Sequence, residues 1–353
     1  MENLKEKTAK GLLWGFLNNS ASQVINLVLG IILARLLSPA DYGIVGVLGI
    51  FTALAVIIQN SGFMQGLVNM KDPQDNDYNS VFWFNIGVSL CFYAILFMAS
   101  PLIAHFFHQP CLVKVSRVLF LVLPIYAFGT TYWAFMVKNM MNREIAIIAI
   151  CSMAVAGLSA VILALRGYSY WSLVANQIIY AVCFDIGRLY YVRWRPSLKF
   201  DPEPVKRMFG FSSRLLVTQL FFVLNQHLLT FVFGRVFPIR SVGFYTQATK
   251  WFNMAKSSIS GAIGQIAQPV FVSVASEPGR EIAVLRKLVR FTSFVTFPAI
   301  FGLALVSREF VIIVLGGQWV NCIFMLQILC IGGAFIPLSE IYQNVLVSNN
   351  RSD

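Results

Sequence analysis

Residues 11–34 read GLLWGFLNNSASQVINLVLGIILA, an apolar run without a single acidic or basic side chain. At 1.5 Å per helical residue, such a run spans roughly 30 Å of hydrocarbon. Lys5, Lys7 and Lys10 before it resemble the basic start of a signal peptide. The run is too long for that and lacks a clear small-residue cleavage site, so it reads as a retained first membrane helix. Similar blocks recur outward from it, and helices are expected at about 11–34, 42–63, 80–104, 113–136, 144–165, 170–192, 209–233, 244–272, 289–315 and 320–347.

The whole composition agrees with that reading. The 353 residues are 58% hydrophobic and 12% charged, whereas a soluble domain carries roughly a quarter charged residues. The block length points to spanning helices and argues against a β-barrel. The expected fold class is an all-α polytopic membrane protein of about ten transmembrane helices. The net charge of +12 sits mostly in short loops between apolar blocks. That is the pattern of membrane topology, with anionic lipids attracting the basic loops, and not of a nucleic-acid-binding face.

Ten spans put both termini on one side. Lysine and arginine crowd the N-terminus and the even-numbered loops, as at Lys71, Lys138, Arg143, Arg193, Lys206, Arg280 and Arg290. The opposite loops hold chiefly Arg35, Lys114, Arg166, Arg235, Arg240 and Arg308. The positive-inside rule therefore places both termini in the cytoplasm. The six cysteines are scattered, mostly inside apolar blocks and without a CxxC pair, and read as small buried hydrophobes. His105, His108 and Cys111 in HFFHQPC approach ligand spacing without a supporting carboxylate. Interfacial packing is the reading for that loop, and no metal or cofactor is called for.

The basic linker RWRPSLKFDPEPVKR, Arg193 to Arg207, has three prolines and follows the sixth helix. It divides the chain into a six-helix lobe at 1–192, a cytoplasmic linker at 193–208 and a second lobe at 209–353. An internal repeat supports the division. ARLLSPADYGIVG at 34–46 has its counterpart in GRVFPIRSVGFYT at 234–246, so that Arg35 aligns with Arg235 and Gly43 with Gly243. Asn18, Asn19 and Asn26 fall against Thr218, Gln219 and Gln226, and Gln65 against Gln265. Six intervening helices leave both copies running the same way, an arrangement in which transporters commonly place substrate between lobes.

Two helices carry polar faces. In the first, Gly15, Asn18, Asn19, Ser22, Gln23, Asn26 and Gly30 recur at helical steps and must face protein or a water-filled cavity. Interhelical hydrogen bonding and cavity lining are both open readings of that stripe. In the eighth, Thr246, Lys250, Asn253, Ser257, Ser260 and Gly264 form one face, flanked by Lys256. Arg214 near the start of helix seven and Arg188 near the end of helix six add cations, with snorkelling to headgroups as the alternative for both. Intramembrane acid is sparse beyond Asp185, Glu144 and Glu340, so an anionic ligand is the natural complement. The glycines 43, 46 and 49 read as a ridge for close helix packing.

ARLLSPADYG after helix one, GFYTQATKW at the start of helix eight and the basic linker resemble the polysaccharide transporters of the multidrug, oligosaccharidyl-lipid and polysaccharide exporter superfamily. These are the O-antigen and capsule repeat-unit flippases, and the resemblance covers essentially the whole chain. It implies two six-helix lobes around a central, positively charged cavity that alternates between inward-open and outward-open states. It further implies an undecaprenyl-diphosphate-linked oligosaccharide as substrate, residence in a bacterial cytoplasmic membrane, and other polysaccharide-assembly proteins as partners. Lys250, Lys256, Arg214 and Arg188 would then meet the diphosphate, and Asn18, Asn19, Asn26 and Asn253 the sugar.

Family members usually have twelve or fourteen helices, whereas this chain stops at NNRSD, so the second lobe is expected to be truncated, with about four helices. Rival readings are a lipid II flippase, a drug or cation antiporter of the same superfamily, and a membrane glycosyltransferase or polymerase. The antiporters typically use intramembrane carboxylates, which the first helix lacks. An enzyme would need a substantial extramembrane loop, and no loop exceeds roughly twenty residues, so the chain is read as a non-enzyme.

Overall fold

The computed structural model describes residues 4–60, 63–274 and 278–348. Its helices are α1 (Leu4–Leu36), α2 (Pro39–Asn60), α3 (Phe63–Asn69), α4 (Asp75–Phe106), α5 (Leu112–Leu119), α6 (Val122–Lys138) and α7 (Asn142–Leu165). There follow α8 (Trp171–Tyr191), α9 (Pro202–Val236), α10 (Ile239–Val274), α11 (Pro278–Leu305), α12 (Ser307–Phe310), α13 (Cys322–Gly333) and α14 (Ile336–Ser348). A π turn, Val311–Leu315, continues α12. No strand occurs among the described residues, and the all-α expectation holds.

Eight of these stretches are long and apolar enough to cross a membrane. The remaining two expected spans are α8 and α10, which carry Asp185 with Arg188 and Lys250 with Lys256. Large apolar side chains stand bare on the outer faces, among them Met98 at 79% and Leu305 at 82% exposure. Water would penalise that display, and a hydrocarbon surround removes the penalty. Of the cysteines, Cys322 and Cys330 are buried as expected, whereas Cys91 and Cys151 lie on such outer faces, apolar in their surroundings but outside the protein core.

Two expected spans are broken. The fourth is α5 and α6, parted at Phe120 and Leu121, with Pro124, which lacks an amide proton, in the first turn of the new helix. The tenth is α13 and α14, parted at Ala334 and Phe335. There Gly333 leaves room for the Phe252 ring, which a Cβ would strike.

By contact the chain forms two compact units, 1–242 and 243–353. In the first, α7 packs against α1 and α8, α6 against α4 and α8, and α9 against α2, α3 and α4. The boundary expected at 193–208 thus lies inside this unit, since α9 beyond it joins the preceding helices. The lobe division from the repeat stands as a proposal of descent and not of contact. The helix breaks do keep the repeat spacing: α1 and α2 part at residues 37–38, α9 and α10 at 237–238.

Each break has a local cause. At the first, Ser38 and Asp41 form a capping box: the Ser38 amide and hydroxyl donate to Asp41 Oδ2 at 2.8 and 2.7 Å, with Pro39 at the first helical position. Ser169 Oγ donates to Asp41 Oδ1, tying this turn to the turn before α8. At the second, Pro238 supplies the fixed φ that opens α10.

The linker is pinned to the start of α4. Asn79 donates to the Lys199 carbonyl and accepts the Ser197 amide at 2.9 Å, and the Trp83 indole donates to the Ser197 carbonyl at 2.6 Å. Trp194 packs against Tyr132 at 5.4 Å between ring centroids and against Phe82 at 5.9 Å. In the second unit, Trp319 is fully buried against Phe244, and Trp251 meets Phe310 at 5.4 Å.

Candidate functional site

The first residues of α10, 239–242, belong to the first unit, and its polar face, from Thr246 on, lies wholly in the second. Lys250 stands roughly 16 Å along the helix from Ile239 at 1.5 Å per residue, about half the hydrocarbon thickness. It is half-buried, with Nζ 5.8 Å from the centroid of the Trp251 ring. Among the described residues no carboxylate pairs with it. Around it, Gln247 is fully buried with neither amide atom bonded, and Thr246 Oγ1, Thr249 Oγ1 and Trp251 Nε1 are likewise buried without a partner among the described residues. Each such group costs about 1–3 kcal/mol if nothing meets it. Thr246 and Gln247, four and three residues before Lys250, share its side of the helix, and these enclosed groups need water or another polar partner there.

Further along the same helix, Lys256 is half-buried, while Asn253 and Ser257 are exposed. Ser257 and Ser258 bond back to the Met254 carbonyl, and Ser260 Oγ is buried without a partner among the described residues. The side chains of Gly264 and Gln265 fall outside the described residues.

The stripe of α1 divides. Gly30 is buried and Asn18 is half-buried, its Oδ1 enclosed with no partner among the described residues. Asn19 and Asn26, seven residues apart and so on one line of the helix, are exposed. Neither side chain makes a hydrogen bond among the described residues. Exposed amides on a spanning helix need water or a polar ligand, which favours cavity lining for these two positions.

Arg188 is held elsewhere. Its Nη1 donates to Asp185 Oδ1 at 2.7 Å inside the first unit, and its guanidinium lies 4.2 Å from the Phe184 ring centroid and 5.2 Å from that of Trp133. Gly129 of α6 makes room, since a Cβ there would strike both Asp185 and Arg188. Arg188 is a cation already neutralised. Arg214 lies on α9 with its side chain outside the described residues.

Sequence reading missed Gln247 and Thr249. Gln247 is one three-residue step before Lys250 and could have been read with it, whereas Thr249 lies off that stripe; burial without partners among the described residues marks both. It also missed the pairing of Arg235 with the HFFHQPC loop: Arg235 Nη1 lies 2.9 Å from His108 Nδ1, and its guanidinium lies 5.3 Å from the Phe106 ring centroid.

The family model described as "Polysaccharide biosynthesis protein" matches residues 32–324. The lipopolysaccharide biosynthesis protein WzxC of Escherichia coli (strain K12) is 25% identical over 99% of this chain and 72% of its own length. The succinoglycan biosynthesis transport protein ExoT of Rhizobium meliloti (strain 1021) is 24% identical over 92% of this chain and 66% of its own. Among solved structures, the lipid II flippase MurJ in an inward closed conformation superposes with a TM-score of 0.72. That match spans 97% of this chain and 77% of MurJ at 12% identity, a likeness of fold.

Proposed function

The chain belongs to the polysaccharide biosynthesis protein family, and from that membership we propose that it flips polyprenyl-diphosphate-linked oligosaccharide repeat units across a bacterial cytoplasmic membrane for surface-polysaccharide assembly. The observation that carries the reading is Lys250, a cation eleven residues into α10 without a carboxylate partner among the described residues, on the side of the helix that holds the enclosed, unbonded Thr246 and Gln247. A diphosphate supplies the missing anion. Relatives named for lipopolysaccharide biosynthesis and succinoglycan transport support the substrate class.

In this reading Lys250 holds the diphosphate, with Lys256 and Arg214 adding positive potential. Asn253 on α10 and Asn18, Asn19 and Asn26 on α1 offer amides to sugar hydroxyls. The reading does not draw on Arg188, whose charge Asp185 already meets. Flipping requires the site to be reached alternately from the two membrane faces, with no covalent step, so the chain acts as a transporter and not an enzyme. Both termini are cytoplasmic, and the enzymes that build and polymerise the repeat unit are the natural partners.

Deletion of the gene in its own host tests this. The expected result is loss of surface polysaccharide with lipid-linked repeat units accumulating on the cytoplasmic leaflet. Intact surface polysaccharide together with arrested peptidoglycan synthesis would instead identify a lipid II flippase.

A further inference from the structure

We propose that a groove between α2, α4 and α9 is a second binding site, which takes the phosphate end of a polyprenyl lipid and the first part of its chain. This inference rests on the substrate class proposed above, and it concerns a place distant in sequence from the α10 face.

The groove has a volume of about 450 Å³ and is lined by Phe51, Leu102, Ile103, His105, Phe106, Phe231 and Arg235. That volume lies in the range of roughly 300–1,000 Å³ found for small-molecule sites. The residues come from the last turns of α4 and α9 and the middle of α2. This is the end of α4 remote from the pinned linker.

Close packing builds its wall. Gly234 lets α9 lie against α2 and α4, since a Cβ there would come within 2.7 Å of both Phe107 and Val47. Phe231 then stacks on Phe106 at 5.1 Å between centroids and meets Phe51 at 6.3 Å. Leu102 is 73% exposed, so the trough opens sideways where a spanning helix meets lipid.

Five of the seven lining side chains are apolar, and the other two, His105 and Arg235, come from the last turns of α4 and α9. Arg235 bonds to His108, which leaves its positive charge intact, and no carboxylate lines the groove. A cation 5.3 Å from the Phe106 ring, at the rim of an otherwise apolar lining, complements an amphiphile with an anionic head and an apolar tail. One trough takes one chain, which matches a polyprenyl phosphate; a glycerophospholipid brings two. As the substrate class is one whose tail stays in lipid while its head crosses, the groove would hold the carrier at one end of that path.

Photocrosslinking on the full chain in liposomes tests the proposal. The probes are a diazirine-bearing polyprenyl diphosphate and, separately, a diazirine-bearing phosphatidylglycerol, with labelled positions mapped by mass spectrometry. The polyprenyl probe is expected to label Leu102, Phe106 or Phe231. Arg235→Gln should cut that labelling about tenfold, as loss of a charged contact would, while Arg235→Lys keeps most of it. Leu102→Trp, at an exposed position, should also block labelling by filling the trough with the charge left in place. Equal labelling by phosphatidylglycerol, or labelling unaffected by Arg235→Gln and Leu102→Trp, overturns the proposal. Labelling on α10 but not in the groove overturns it while sparing the proposed function, whereas absence of labelling anywhere removes both.

Discussion

Asp185 accepts a hydrogen bond from Arg188 three residues along the same turn of α8, at 2.7 Å, and Gly129 of α6 lies so near that a single added methyl would meet both side chains. The two charges exist at that depth only because each supplies the other's counterion.

Breaking the pair from one side should therefore be severe. Asp185→Asn leaves a buried guanidinium without its anion, a change that costs about 3–5 kcal/mol in comparable cases. We expect a sharp fall in membrane abundance and in the thermal midpoint followed by tryptophan fluorescence. The double variant Asp185→Leu with Arg188→Met should recover most of the loss; a double variant as unstable as the single one would show that the charges themselves are required.

The glycine ridge of α2 is not uniform. A Cβ on Gly43 would run into the Ile239 carbonyl, where α10 begins, whereas one on Gly49 would find only the His227 ring at 3.8 Å, an ordinary contact. Gly43→Ala should lower the thermal midpoint by an overpacking cost of about 1–3 kcal/mol, and Gly49→Ala should leave it nearly unchanged. Equal midpoints for the two variants would contradict this account of the α9–α10 turn.

Removal of charge at Lys250 should matter more than removal at Lys199, because a charge at membrane depth acts through a lower dielectric than one in an exposed linker. In the chromosomal gene, Lys250→Gln is expected to lower repeat-unit export at least about tenfold at normal membrane abundance. Lys250→Arg should keep more activity, and Lys199→Gln should behave as wild type. Normal export from Lys250→Gln would make the residue structural.

Asp201 gives the linker a pH dependence. The Glu203 amide donates to its carboxylate at 3.0 Å and the Asn76 side chain at 2.7 Å, which holds its pKa below the ordinary 3.8. The stabilisation is therefore complete above that ordinary value and fades as pH falls through the lower folded-state value. Amide exchange at the start of α9, corrected for the intrinsic rate, should quicken as pH drops below about 4, the range where an ordinary aspartate titrates. Asp201→Asn should flatten that dependence, and a profile identical to wild type would assign it to another group.

Orientation can be read chemically at Ser197, whose side chain is exposed. Ser197→Cys in a background free of the six native cysteines should react with a membrane-impermeant maleimide only after the cytoplasmic face is opened. Reaction in intact cells would invert the topology.

The spans were legible in the sequence because a run such as 11–34 has no other way to satisfy its length and lack of charge. The helix faces were legible because Asn19 and Asn26, or Lys250 and Asn253, repeat at helical spacing. Pairing was less so. Asp185 and Arg188 are three residues apart, a readable ion pair, yet their burial against Gly129 of α6 is not visible in the spacing. Gln247 looks like any glutamine until its burial without partners is seen. The compact units were not legible either, because proline and charge mark where a chain leaves the membrane, and not which helices α9 packs against afterwards.

The linker is less free than its composition suggests. Three prolines and a run of basic residues suggest a slack tether, the usual place to splice in a reporter or an epitope. Here Asn79 grips the segment through both its amide nitrogen and its oxygen, and Trp83 holds the carbonyl between those contacts. A domain spliced between Ser197 and Lys199 would have to pry the segment off α4, stripping three polar partners from the helix. The exposed loop tip at Gly167, with its positive φ and open surroundings, is the gentler point of entry.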